Sequence, residues 1–336
     1  SNILIAVDGN QLSITGTDLE IELVARVELE ESFPSSEITI QARKLLDICK
    51  SLPGGAKIGF EKSEQKITVK SGRSRFSLAT LPANEFPNLE KSTESLKFRI
   101  NQRYLKNLLD GTSFAMAQQD VRFYLNGMLL EVSPNRLRVV TTDGHRLALS
   151  DAEVDVSVDE KLQAIIPRKG VMELARLFCD DCDVMLKISE NHIRAESDSL
   201  TFTSKLIDGK FPDYERVIPK NGDKLVIGDK QEMLQGFSRV AILSNEKYRG
   251  VRIKVDQGVL DMEANNPDQE EAEETINVDY HGPVLEIGFN VSYLLEVLNA
   301  IGGDTINIKF SDSSSSALIQ DADKDDSIFV VMPMRL

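Results

Sequence analysis

Apolar and polar residues alternate along most of the 336-residue chain in short runs, separated by Gly, Asn, Asp and Pro, and the runs recur in a fixed order. From Asn126, NGMLLEVSPNRLRVVTTDGHRLAL predicts two strands joined by a turn at Pro134-Asn135. PRKGVMELARLF then has helical spacing, VMLKISENHIRAESDSLTFTSKL predicts three short strands, and the repeat closes on DGKFPDYERV. Upstream the same order reads ILIAVDGNQLSITGTDLEIEL, ARKLLDICKSL, KIGFEKSEQKITVKSGRSRFSLATL and NEFPNL. Asp18 matches Asp143, Arg43 matches Arg168, and Phe86-Pro87 matches Phe211-Pro212, each at an offset of 125 residues. A looser third copy runs through VRIKVDQGVLDMEANN, FNVSYLLEVLNAI, INIKFSDSSSSALIQ and FVVMPMRL. Three degenerate copies of one supersecondary repeat organise the chain.

Polar linkers, NLEKSTES and PKNGDK, put the boundaries near Ser95 and Asp223, giving domains 1–95, 96–223 and 224–336. Repeats two and three each open with a further helix, NQRYLKNLLDGTSFAM and KQEMLQGFSRVAIL. Their apolar positions are Tyr104, Leu105, Leu108 and Leu109 in one, and Met233, Phe237, Val240 and Ala241 in the other. Ser1 aligns with Asn126, so the first repeat is expected to lack an opening strand and helix and to leave core and a strand edge uncovered. The class is α+β: helices on one face of largely antiparallel sheet, with tandem copies extending the sheet edge to edge and the helices on a common side.

Composition adds little until charge is divided by element. Apolar content of 41% and charged content of 28% are those of a soluble globular protein. No apolar run approaches the roughly 20 residues that span a bilayer, and there is no signal-like start. Three cysteines without a disulfide framework make the reducing cytoplasm the default compartment. The net charge of −15 argues on average against nucleic acid. The five helix candidates nevertheless hold ten basic and five acidic residues, leaving 29 of the 39 basic and 49 of the 54 acidic residues elsewhere. In ARKLLDICKS the basic Arg43, Lys44 and Lys50 avoid the predicted apolar stripe of Ala42, Leu45, Leu46 and Cys49. Any amphipathic helix has a solvated charged face. Four basic helices on one side of an acidic protein would also follow phosphates without reading bases.

Candidate chemistry is thin. Cys179-Asp-Asp-Cys182 is a C-x-x-C, but two further ligands at zinc spacing are missing, and the intervening carboxylates disfavour a thiolate. His145 in TTDGHRLAL has Asp143 and Arg146 beside it, yet no serine elbow or nucleophilic cysteine signature accompanies it. There is no Walker loop and no G-x-G-x-x-G, and NPDQEEAEE lacks the spacing of a calcium loop. No catalytic residue, metal site or cofactor is expected. Three surfaces suit binding instead: the chain end Phe329–Leu336, the acidic run Asp268–Glu274, and Arg73, Arg75, Phe76 and Leu78 in SGRSRFSLATL. A basic edge in repeat one and an acidic edge in repeat three are complementary, and head-to-tail contact between two chains would close a ring.

The segments TGTDLEIE, SGRSRFSLATLPANEFPNL, TDGHRLA, PRKGV, FTSKLIDGKFPDYERV, ILSNEKYRGV, ANNPDQEEAEE, GFNVSYLLEVLNA and VVMPMRL closely resemble the bacterial β sliding clamp family, processivity subunits of the replicative DNA polymerase III, along the whole sequence. The resemblance implies three repeated domains per chain, two chains in a ring, and helices lining a hole for duplex DNA. It implies no enzymatic activity. Partners would be the polymerase catalytic subunit, the clamp loader and other proteins carrying clamp-binding peptides of Gln-Leu-x-Leu-Phe type. Carried over by motif, the peptide pocket falls on Leu125, Thr142, Gly144, His145, Arg146, Leu147, Pro212, Arg216, Val217, Val330, Met332, Pro333, Met334 and Arg335, with Ser314 and Ser316 at its rim. DNA-facing positions carried over are Arg43, Gln119, Phe123 and Tyr124, and the reading of basic helix faces adds Lys44, Arg103, Arg168 and Lys169. Dimer contacts are Arg73, Arg75, Phe76 and Leu78 on one side, and Ile242, Leu243, Glu270, Glu271 and Glu274 on the other. A scaffold that never encircles DNA is the alternative, and a hydrolase using His145 ranks last.

Overall fold

A computed structural model describes residues 2–63, 65–87, 89, 94–178, 181–220 and 222–335. In the first repeat, β1 (Asn2–Thr17) and β2 (Ile21–Gln41) precede α1 (Ala42–Ser51), β3 (Gly59–Ser63), β4 (Lys66–Ser71) and β5 (Ser74–Leu81). The second repeat has β6 (Glu94–Asn101), α2 (Gln102–Thr112), β7 (Gly127–Ser133), β8 (Arg136–Thr142), β9 (Arg146–Glu153), β10 (Leu162–Pro167), α3 (Arg168–Leu177), β11 (Asp183–Ser189), β12 (His192–Glu196) and β13 (Leu200–Lys205). The third has β14 (Lys224–Asp229), α4 (Lys230–Val240), β15 (Gly250–Asp256), β16 (Val259–Asn265), β17 (Glu271–Asn277), β18 (Leu285–Asn290), α5 (Val291–Ala300), β19 (Thr305–Phe310), β20 (Ala317–Asp321) and β21 (Ser327–Val331). No helix among the described residues is long and apolar enough to cross a membrane.

The chain packs as two compact units, Ser1–Arg99 with Asp183–Leu206, and Ile100–Cys182 with Ile207–Leu336. In the first, the sheet runs β3-β4-β5-β2-β13-β12-β11-β6, with β1 paired to β2 from Asn2↔Gln41 to Thr17↔Glu22. Strand β13 of the second repeat joins β2 of the first from Leu200↔Ala25 to Ser204↔Ile21. In the second unit an eight-stranded sheet runs β10-β7-β8-β9-β21-β20-β19-β14, and a four-stranded one runs β17-β16-β15-β18. Its join is β9 with β21, antiparallel from Arg146↔Val331 to Ser150↔Ser327. Repeats therefore do extend one another's sheets edge to edge.

Caps and cores follow from sequence. Asn101, Asp229 and Asn290 precede α2, α4 and α5, and each side chain accepts a backbone N–H of the first turn. Met233, Phe237 and Val240 of α4 and Leu294 and Leu298 of α5 share one buried cluster with Phe289, Phe310 and Phe329. A smaller cluster under α1 is Ile5, Ile38, Ile40, Leu45, Ile67 and Val69. At the start of β7, a Cβ on Gly127 would stand 2.5 Å from the Ile166 carbonyl oxygen, so only glycine fits against β10 there.

Several expectations are corrected. The stretch from Gly127 to Glu153 is three strands rather than two, because Thr142 to Arg146 folds into a second turn. In α1 only Leu45 is buried, and Leu46 and Cys49 are exposed, because the packed side runs through Ala42, Leu45 and Ile48. Tyr104 of α2 is 62% exposed while Leu105, Leu108 and Leu109 are buried. The acidic run is a turn only up to Glu270, whose carbonyl accepts the Asn266 amide. From Glu271 it is the edge strand β17.

Candidate functional site

The turn between β8 and β9 is built by its own side chains. Gly144 has φ +90°, the left-handed region that favours glycine. Thr142 Oγ1 accepts the Gly144 amide at 3.1 Å and donates to the Arg146 carbonyl at 2.6 Å. Asp143 Oδ1 accepts the amides of His145 and Arg146 at 2.9 and 3.0 Å, an Asx turn. Beneath the turn lies Arg146, its side chain 9% exposed. It donates to Asp143 Oδ2 at 3.1 Å, to the Phe114 carbonyl at 2.9 Å and to Glu296 of α5, and stacks 4.4 Å from the Tyr293 ring. Its donors are thus committed within the chain, and its role is to tie β9 to α5.

Around this turn three of the remaining pocket candidates share one apolar cluster. Leu125, Leu147 and Val330 are buried in it beside Val140, Phe211, Tyr214 and Leu318, so they form a floor. Pro212, Arg216 and Val217 are exposed above it, since Phe211 and Tyr214 turn inward. Arg216 pairs with Asp213 at 2.6 Å. After β21 the chain end crosses the turn: the Met332 amide donates to the His145 carbonyl at 2.9 Å and the Met334 amide to the Gly288 carbonyl at 2.9 Å. Met332 is exposed, Pro333 and Met334 are half-buried, and Arg335 is exposed, while Leu336 lies outside the described residues. Met334 and Arg335 also line a cavity of about 430 Å³ with Tyr248, Arg252 and Glu263. An apolar floor, exposed Val217 and Met332, and a few charged groups are what an extended peptide requires. At the rim candidates, Ser314 and its neighbour Ser315 donate to Asp312, whose carboxyl is held down to about 2 by these bonds.

Sequence reasoning missed Arg122. Its guanidinium donates to the Asp143 carbonyl at 3.2 Å and lies 3.2 Å from where a Gly144 Cβ would stand, which gives glycine a second reason to occupy that position. It pairs with Asp120 at 2.8 Å, and the hydrogen bonds from Arg122 hold the Asp120 carboxyl down to about 2. The Asp-x-Arg spacing was the available signal. Phe114, Tyr293 and Glu296 carried none, because they meet Arg146 only through the fold.

The phosphate-facing candidates lie on both units. In the first, Arg43 is exposed and pairs with Asp47 at 3.2 Å, and Lys44 is exposed beside it. In the second, Arg103 of α2 is exposed and 3.6 Å from Asp181, and exposed Lys169 lies in the first turn of α3. Arg168 donates to the Met116 carbonyl at 3.3 Å. Gln119 is exposed with φ +57°, and Phe123, 55% exposed, sits edge-on to Tyr124. No hydrolytic dyad forms at His145: both Asp143 oxygens are taken by backbone amides and Arg146, and the imidazole is exposed. Cys179 lies outside the described residues, and Cys182 accepts a hydrogen bond from Gln102.

Residues 1–90, 99–213 and 215–335 match, in order, the N-terminal, central and C-terminal domains of the DNA polymerase III beta subunit. The chain belongs to this family. It is 59% identical over 337 residues to the beta sliding clamp of Pseudomonas aeruginosa, and 49% identical over 336 residues to that of Escherichia coli K12; each covers 100% of this chain and 92% of the relative. Among solved structures, the P. aeruginosa sliding clamp with ligand superposes with a TM-score of 0.99 at 59% identity, covering 100% of this chain and 92% of that one. The P. aeruginosa clamp bound to griselimycin gives 0.98 at 59% identity, covering 100% and 91%.

The dimer candidates of this clamp-family chain lie on two strands and the turns beside them. Phe76 and Leu78 of β5 face the cluster under α1 while Arg73 and Arg75 are exposed, and among the described residues β5 meets β2 only at Thr80 and Leu81. Opposite in character, β17 is an edge carrying exposed Glu271, with Glu270 in the turn before it. Glu274 is held by Arg239 at 2.6 Å, which keeps its carboxyl below the ordinary range. Ile242 is 76% exposed and Leu243 half-buried in the turn after α4.

Proposed function

We propose that the chain acts as a sliding clamp. Two copies close a ring round duplex DNA, and the groove of each holds an extended peptide of the polymerase catalytic subunit, the clamp loader or another replication or repair protein. The observation that carries this reading is the unbroken likeness, over the whole chain, to beta sliding clamps, with all three family domains in order. That likeness disfavours a scaffold that never encircles DNA. The domains are 1–95, 96–223 and 224–336, and the ring joins the basic β5 edge of one copy to the acidic β17 edge of the other. Arg43, Lys44, Arg103, Gln119, Phe123, Tyr124, Arg168 and Lys169 face the DNA, contacting its backbone without reading sequence. The role is non-catalytic and cytoplasmic, with processivity gained by tethering rather than by chemistry.

A calorimetric titration with a Gln-Leu-x-Leu-Phe peptide tests the groove. Saturable binding that is lost on deleting Met334 to Leu336 is expected, since the Met334 amide anchors the chain end to Gly288. Unchanged binding after the deletion would move the peptide elsewhere, and no binding in the intact protein would sink the groove assignment.

A further inference from the structure

The wall carrying Arg216 and Val217 has little regular structure to hold it. Between β13 and β14 the described chain forms one 3-10 turn, Tyr214–Arg216, closed by the Val217 amide donating to the Tyr214 carbonyl at 3.1 Å. Its anchor is Tyr214, 5% exposed, whose ring sits in the groove's apolar floor and whose hydroxyl donates to Glu131 Oε1 at 3.2 Å. The Glu131 side chain has no exposed surface. It stands on β7, between buried Leu130 and Val132, and also accepts Gln163 Nε2 at 2.8 Å and Lys161 Nζ at 3.1 Å. The Tyr214 oxygen in turn accepts Arg138 Nη1 at 3.4 Å, and Arg138 is fixed by two 2.6 Å bonds to Asp151.

A carboxylate inside a sheet is costly, and a leucine of similar volume would serve packing alone at least as well. What a leucine cannot do is set the direction of a neighbouring hydroxyl. Here the hydroxyl is caught between a fixed acceptor and a fixed donor, so Tyr214 has one orientation, and the turn above it has one as well. We propose that Glu131, acting through the Tyr214 hydroxyl, is the positioning residue that fixes the Arg216–Val217 wall of the peptide groove. The assignment rests on the groove reading given above.

Tyr214→Phe keeps the ring and removes the hydroxyl. Peptide affinity should fall about fivefold to tenfold, the size expected for one net hydrogen bond. Amide exchange at Val217 should accelerate by a similar factor, while amides of β7, β8 and β9 keep their wild-type rates. Glu131→Gln, which retains an acceptor, should lose less affinity than Glu131→Ala. Wild-type affinity in Tyr214→Phe would overturn the assignment. So would Val217 exchange that rises only in step with the strand amides, because that is the pattern of a purely structural residue. Failure of the wild-type protein to bind peptide would remove the groove itself, and the wild-type titration separates that failure from the failure of the anchor.

Discussion

Arg146 and Arg122 flank the same tight turn and are held in different ways. Arg146 is nearly enclosed and spans from β9 to α5, whereas the Arg122 side chain is 47% exposed and grips a neighbour two residues away. The Asp120–Arg122 pair makes a clean pH prediction. Because the folded-state carboxyl is depressed to about 2 from an ordinary 3.8, its contribution to the fold is complete above 3.8 and is lost as pH falls through about 2. Carboxyl resonances of Asp120 followed by NMR should show that midpoint in the wild type and a higher one in Arg122→Ala, where the guanidinium bonds are lost and the bond from the backbone amide remains. At this scale the signal was present but went unread: Asp143-Gly144 is turn chemistry, yet the stretch around it was expected to be two strands rather than three. The partners of Arg146 were not legible, because Glu296 lies 150 residues away and only the fold brings it close.

The five helices could be read from period alone, since each has an apolar stripe and three have a capping Asn or Asp. Strands β10, β14 and β18 could not. Each is six residues ending at a helix start, where a short apolar run is as compatible with a first helical turn as with a strand. The stripe of α1 was misjudged for a related reason. Spacing defines an apolar arc, but the partner surface decides which part of the arc is covered, and here it covers Leu45 and Ile48. The exposed basic face of the helices makes its own prediction. Arg43→Glu and Lys169→Glu should each weaken retention on closed circular DNA and lower the steepness of its salt dependence by roughly one phosphate contact. Peptide binding should stay the same. Retention equal to wild type at every salt concentration would take these helices out of DNA contact.

For the whole molecule, the repeat pattern predicted sheets merging across repeats, and the β2–β13 and β9–β21 ladders carry that out. Among the strand edges left over are β17 with its glutamates and the open side of β5 with its arginines. Ile242→Asp should convert a dimer to a monomer in sedimentation while leaving far-ultraviolet circular dichroism unchanged, because Ile242 is 76% exposed in the isolated chain. A dimer of wild-type mass in that variant would mean the ring closes through another surface.

Strand β21 comes after every other strand of its sheet in the chain, yet it sits fifth of eight across the sheet, between β9 and β20. During synthesis, therefore, β7 to β9 must emerge and wait with β9 unpaired on one side, for about 180 residues, until the strand that covers it leaves the ribosome. Through that interval the apolar floor around Leu147 lacks the cover that Val330 and Ile328 of β21 give it. Pairing of β21 with β9 therefore completes the groove and covers that surface in the same step.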